Sequence, residues 1–239
     1  MNRQSQAAVL FLLGVALLHA GTTDLYLRYV KAGLQPLLLA SGSVLIVAAL
    51  ATAWYERRRA KEMRAPKGPA HPEPGVSWLL VLPLLALMLV APPALGSYDA
   101  TRTGTALQEP LAYPSLPATD PLRLSVVDYA GRAAYDHGRT LSGRRVQITG
   151  FVALDRAGTP YLVRMALNCC AADAQPVKIG LIGDTPPVLQ PDTWLTVTGT
   201  YTARESRDPV NDGRIPFLDV LTAKPVPAPR DPYDESYNN

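Results

Sequence analysis

Hydrophobic and polar positions divide the chain into two unlike halves. Over the first 95 residues apolar side chains run in long, nearly uncharged stretches, whereas beyond residue 123 they recur at helical and then at alternating spacing. Ala7 to Ala20 is apolar throughout, and the residues that follow can carry a helix to about Val30. A bilayer crossing needs roughly 20 residues, so a first span over about 7–29 requires Thr22, Thr23 and Asp24 near the far interface. A second span covers 34–55 and ends on Trp54-Tyr55, a pair suited to interface depth. A third is expected over 76–95, with Trp78 at its start, a bend at Pro83 and a stop at Pro92-Pro93. Ser41, Gly42 and Ser43 are small enough for a second helix to approach closely. Because the first run continues as a plausible helix beyond Ala20, it reads as a retained anchor rather than a cleaved signal.

Residues 96–122 are rich in Pro, Thr, Ser and Gly and lack periodicity, which reads as an extended linker. Ser125 to Tyr135 places Val126, Val127, Ala130, Ala133 and Ala134 at helical spacing behind a Ser125 N-cap. The period then changes to two. Strands are expected from Arg144, with a coil or bulge at Gly150, over Tyr161 to Leu167, Val177 to Ile182 and Trp194 to Tyr201, and over about Arg214 to Leu221. A polar excursion from Arg204 to Gly213 precedes the last of them. One short helix followed by five strands, the first coiled at a glycine, predicts a five-stranded OB-like β-barrel over 123–225. The strand count would also suit an SH3-like barrel or a small sandwich. Residues 226–239 form a Pro-rich tail.

Charge adds orientation. The chain of 239 residues carries a net charge of +3, and much of the excess lies in Arg57, Arg58, Arg59, Lys61, Arg64 and Lys67. Basic residues of short loops stay cytoplasmic, so the loop between the second and third spans faces the cytoplasm and the C-terminal domain lies outside the inner membrane. Arg28 and Lys31 in the outer turn pull the other way but are outnumbered. A topological signal explains the loop better than a lipid- or nucleic-acid-binding patch does. His19 and Asp24 are the ionisable groups of the first span. They fit either a proton or ion path or, more simply, a packing histidine and a solvated interfacial carboxylate. No G-x-S-x-G elbow, P-loop or H-E-x-x-H is present, and there are only three histidines, so no enzyme class is indicated. Nor does any strand pair basic with aromatic residues as single-stranded nucleic acid would require.

The remaining chemistry is concentrated in Arg164-Met-Ala-Leu-Asn168-Cys169-Cys170-Ala-Ala-Asp173. Two adjacent thiols admit three readings. A bond between neighbours would be strained and redox-labile. Thiolates suit zinc or copper(I), with Asp173 able to supply an oxygen and His137 a nitrogen, although zinc wants about four ligands. In the third reading the cysteines are structural and Asp173 caps the turn. Arg164 is expected to pair with Asp173 and, with Asn168, to support the loop.

These stretches also resemble the YcgQ-like family of bacterial membrane proteins, named for permease subunits. The resemblance rests on Tyr29-Val30 with Gly33, on Gly143 to Val146 and Gly150 to Val152, and above all on Arg164 with Cys169-Cys170-Ala-Ala-Asp173-Ala. Trp194 to Gly199 and Pro232-Tyr233 also match. It implies an accessory subunit, without catalytic activity, beside a multi-spanning permease-like protein in the lipid bilayer, and a link to metal homeostasis.

Overall fold

The computed structural model describes residues 3–62 and 79–235, which fall into two compact units. The first comprises residues 1–26 and 32–93, the second 27–31 and 94–239.

In the first unit, α1 (Arg3–Thr22) and α2 (Gln35–Glu62) lie against each other. Gly14 and Gly42 make the approach possible. A Cβ on Gly14 would sit 2.8 Å from the Gly42 carbonyl oxygen, and one on Gly42 would sit 3.0 Å from that of Gly14. This is the close backbone contact that small residues allow in membrane helix pairs. The Gln35 side chain closes the far end by donating to the Gly21 carbonyl at 2.8 Å. α2 outruns its expected end at Tyr55 because the Arg-Arg-Arg-Ala-Lys sequence beyond is itself helix-forming. Arg58 and Arg59 stack on Trp54 and Tyr55 one turn back, 3.9 and 5.2 Å from the ring centroids.

Gln4–Thr22 and Ala32–Arg59 are long and apolar enough to cross a membrane. Among the described residues there are two such helices and not the three expected. α3 (Val81–Leu89) has nine residues, about 14 Å against a hydrocarbon thickness of about 30 Å. Pro83 is tolerated in its first turn, where its missing N–H has no partner to lose, and Pro92-Pro93 keep the preceding residue out of the helical region. Residues 76–78 of the expected third span, and Arg64 and Lys67 of the basic loop, lie outside the described residues.

The second unit is built on β2 (Arg145–Leu154), β3 (Pro160–Leu167), β4 (Gln175–Gly183), β5 (Trp194–Arg207) and β6 (Arg214–Pro225). Their order β2-β5-β6-β4-β3, with β3 pairing back to β2, closes a five-stranded barrel. β4 and β6 run parallel and the other neighbours antiparallel. β1 (Leu122–Leu124) adds in parallel to β2, and β7 (Tyr233–Glu235) adds in parallel to β3, so the expected tail contains a strand. β2 serves both sides of the barrel, pairing with β5 over Arg145–Phe151 and with β3 over Phe151–Leu154. The changeover falls at Phe151, and at the preceding Gly150 a Cβ would come within 2.8 Å of the Val163 carbonyl oxygen.

Alternating residues such as Val146, Ile148, Leu162, Ile179, Val197 and Leu218 fill the interior. α5 (Val126–Ala134) packs with them, its N-cap Ser125 hydroxyl accepting from the Asp128 N–H. Tyr129, fully buried, donates its hydroxyl to the Phe217 carbonyl at 2.7 Å. β5 continues through Arg207, so part of the expected polar excursion is strand, and Arg214 there grips Glu205 with two hydrogen bonds.

Residues 96–121 differ from the free tether their composition suggests. α4 (Ser97–Arg102) is tied down by Asp192, which accepts from both the Ser97 N–H and its hydroxyl, and Ala100 is fully buried. The next four residues form a strap across the barrel. Thr105 N–H donates to Asp208 at 2.9 Å, Asn211 donates to the Thr105 carbonyl, and Ala106 N–H donates to Pro176 O at 2.9 Å. Further along, Arg132 donates to Pro114 O and Arg145 pairs with Asp120. Small and polar residues hold this segment through their backbone, which hydrophobic periodicity does not register.

Candidate functional site

The turn between β3 and β4 carries both cysteines. β3 ends at Leu167, a 3-10 turn spans Ala171–Asp173, and β4 starts at Gln175. The Asp173 carboxylate turns back over the segment and organises it. Its oxygens accept from the N–H groups of Asn168 (3.0 Å), Cys169 (3.0 Å) and Cys170 (3.4 Å), and from the Cys169 thiol at 2.9 Å. The capping role expected of Asp173 is therefore present. Neither thiol is in a disulfide; Cys169 is exposed and Cys170 half-buried. Sulfur atoms of Cys169 and Cys170 and a carboxylate oxygen of Asp173 lie within 4.8 Å of one another. His137 is not a member of this group.

The hydrogen bonds set the electrostatics. The bond to the Asp173 carboxylate, helped by Cys170 and by local desolvation, pushes the Cys169 thiol up to about 12. For Asp173, burial acts upward, but the Cys169 thiol and the three N–H donors outweigh it and hold the carboxyl below its usual range. Between these limits the turn is stable. The Cys169 contribution is complete below the thiol's ordinary pKa and fades as pH rises through about 12. The Asp173 contribution is complete above the ordinary carboxyl range and is lost on acidification through its lowered value. Asp173→Asn removes the anion that holds the proton on sulfur. Alkylation of Cys169 by iodoacetamide at pH 8 is then expected to accelerate on the order of tenfold, the gain in thiolate being partly offset by its weaker nucleophilicity. An unchanged rate would contradict this account of the turn.

Two contacts of the turn had no clear signal in sequence. Residues 29–31 run antiparallel to it through an isolated bridge. Ala171 N–H donates to Tyr29 O at 2.8 Å, Lys31 N–H donates to Cys169 O at 3.1 Å, and Val30 bridges Cys170. Lys31 also pairs with Glu235 at 2.9 Å. Beside them the Tyr233 hydroxyl donates to Arg28 O (3.0 Å) and accepts from Leu95 N–H (3.1 Å).

Arg164 does not meet Asp173. It is nearly buried on β3 and pairs with Asp234 of β7 at 3.0 Å, with further bonds to the carbonyls of Asp231 and Tyr233 and its guanidinium 5.1 Å from the Trp194 ring centroid. Parallel pairing of β7 with β3 brings a carboxylate from 70 residues away to the place the sequence reading gave to Asp173. Arg164 thus supports the strand that leads into the turn, while Asn168 contributes its N–H to Asp173. His19 lies in the last turn of α1, where its carbonyl accepts from the Thr23 hydroxyl. Asp24 opens the short 3-10 segment Asp24–Arg28, and both side chains are exposed.

The C-terminal unit is therefore a closed five-stranded barrel with a vicinal-thiol turn, on a chain with two helices capable of crossing a membrane. Residues 124–234, which hold the barrel, the cysteine turn and Asp234, match the DUF1980 C-terminal domain, an uncharacterised family. No curated protein and no solved structure matches the chain.

Proposed function

We propose that this chain is a membrane-anchored accessory subunit of a permease-like complex, whose extracytoplasmic OB-like barrel binds a soft metal ion, zinc or copper(I), through Cys169, Cys170 and Asp173. The observation that carries the reading is the convergence of two unbonded thiols and a carboxylate within 4.8 Å on one accessible turn. Sulfur donors select these metals over calcium or magnesium. Three protein donors also leave a position for a further ligand, which suits transfer to or from a partner better than permanent structural binding. Strand order and the parallel β4–β6 pair support the OB-like assignment. The extracytoplasmic placement rests on Arg57, Arg58 and Arg59 at the end of α2, and the permease-like partner on the family resemblance.

The proton-holding environment of Cys169 favours metal over thiol–disulfide exchange. Exchange needs a thiolate before it meets its partner, whereas a metal brings the charge that expels the proton. The test is titration of the detergent-solubilised full chain with zinc, and with cobalt(II) as a spectroscopic probe of thiolate ligation. One ion per chain is expected, with affinity at least about 100-fold lower in Cys169→Ser/Cys170→Ser. Because Cys169 must lose its proton, affinity should also rise by about tenfold or more per pH unit from pH 6 to 8. Equal metal content in wild type and the double variant would overturn the proposal.

A further inference from the structure

Away from the cysteine turn the barrel has a concavity of ligand size. It lies between the β2–β3 connection at residues 155–159 and the β5–β6 connection at 208–213, and its volume is about 950 Å³, within the range of small-ligand sites. Tyr161 and Lys178 lie on its strand side, Leu154 and Val210 add apolar surface, and Arg102 and Arg156 contribute guanidinium groups.

Most of the charge in this groove is internally matched. Lys178 pairs with Asp208 at 2.7 Å and also donates to Thr103 O. The Asp155 carboxylate accepts from the N–H groups of Ala157 and Thr159 and from the Tyr161 hydroxyl. Arg102 stacks on Tyr98, 4.1 Å from the ring centroid. Arg102 and Arg156 are exposed and form no ion pair among the described residues. Asp155 keeps its negative charge because its donors are neutral, so with Lys178 matched by Asp208 the lining carries Arg102 and Arg156 against one carboxylate, a net positive charge held by the side chain best suited to carboxylate recognition.

The neighbouring surface shows what kind of molecule this side of the barrel holds. The strap is bound there through its backbone. Thr103 O, Thr105 N–H, Thr105 O and Ala106 N–H are each matched by a group on β4 or the β5–β6 connection. A polypeptide is thus already recognised by main-chain hydrogen bonds beside the open groove. Among the described residues Tyr161 is the one aromatic ring in the lining, and its hydroxyl is engaged, so they offer no stacked platform of the kind that single-stranded nucleic acid uses.

We infer that this groove is a docking site for an extended acidic peptide segment of a partner protein, with Arg102 and Arg156 taking its carboxylates and Leu154 and Val210 its intervening apolar side chains. The site is independent of the cysteines, so it can succeed or fail separately from metal binding.

The experiment measures anisotropy of a fluorescein-labelled nonapeptide alternating leucine and aspartate, titrated with the full chain in neutral detergent. Wild type should bind it, should not bind the counterpart with lysine in place of aspartate, and should lose affinity as salt rises from 50 to 300 mM. Arg102→Ala/Arg156→Ala should weaken binding at least tenfold, with an unchanged far-UV circular dichroism spectrum showing that the barrel is intact. Cys169→Ser/Cys170→Ser should bind as wild type does. Equal affinity in the arginine double variant would overturn the inference. So would failure of the peptide to bind while inorganic phosphate or phosphatidylglycerol vesicles bind in an Arg102- and Arg156-dependent way.

Discussion

Asp234→Leu is expected to lower the stability of the barrel unit by about 3–5 kcal/mol, the cost of removing one partner from a buried ion pair. Arg164 and Asp234 are 10% and 9% exposed, so water does little to compensate either when the other is gone. Asp234 also serves α5, because its second oxygen accepts from the N–H groups of Val126 (3.0 Å) and Val127 (3.4 Å). Losing it therefore strands a guanidinium and removes the capping acceptor that Asp234 adds to Ser125 at the first turn of α5, an added cost of about 1 kcal/mol. Arg164→Met leaves Asp234 with those helix N–H donors and should fall at the lower end of the range. In Arg164→Met/Asp234→Leu most of the ion-pair loss should return, since no charge is left buried, while the cap stays lost. Thermal unfolding followed by circular dichroism at the β-sheet band should show Tm falling by on the order of 10 °C in Asp234→Leu. Strictly additive losses in the double variant would mean the two side chains are not coupled.

Asp208→Ala is expected to have an effect of the same size at the other edge of the barrel, with a different signature. Lys178 and Asp208 are 5% and 0% exposed. The Asp208 oxygen that meets the ammonium also accepts from Thr105 N–H. Its removal leaves a buried cation with only the Thr103 carbonyl and orphans a backbone donor, about 3–5 kcal/mol together. The loss should be concentrated on the strap. Amide exchange at Thr105 and Ala106 should accelerate by at least about 100-fold, while amides in the β2–β5 ladder slow their exchange much less. Uniform acceleration across the barrel would show that the strap has no separate stability.

Much of the barrel was legible because its strands alternate cleanly. Val146 and Ile148, or Leu195 and Val197, point inward for the same reason that their neighbours stay polar. Ser125 announced α5 through its capping hydroxyl. The strap was illegible because its anchors are main-chain groups and small side chains such as Ala100 and Thr105. β7 was illegible because three residues carry no period. That gap led the reading of Arg164 astray: proximity in sequence nominated Asp173, whereas sheet pairing delivered Asp234. Asp173 itself was legible as a cap, since a short acidic side chain beside free N–H groups has few alternatives. The third span falls short because apolar composition does not fix helical length: the α-helix runs only from Val81 to Leu89, with a 3-10 turn before it and non-helical residues already from Val90.

The strap also fixes an order of events in the life of the chain. Thr105 is synthesised 103 residues before Asp208, the group that holds it, and Arg164 precedes Asp234 by 70. On the ribosome both early members must wait, uncommitted, until the late ones emerge. Contacts so distant along the chain make for slow closure, and they tie it to the arrival of the last strand. The barrel should therefore close as one late cooperative event once Asp234 has emerged, rather than strand by strand as the polypeptide appears.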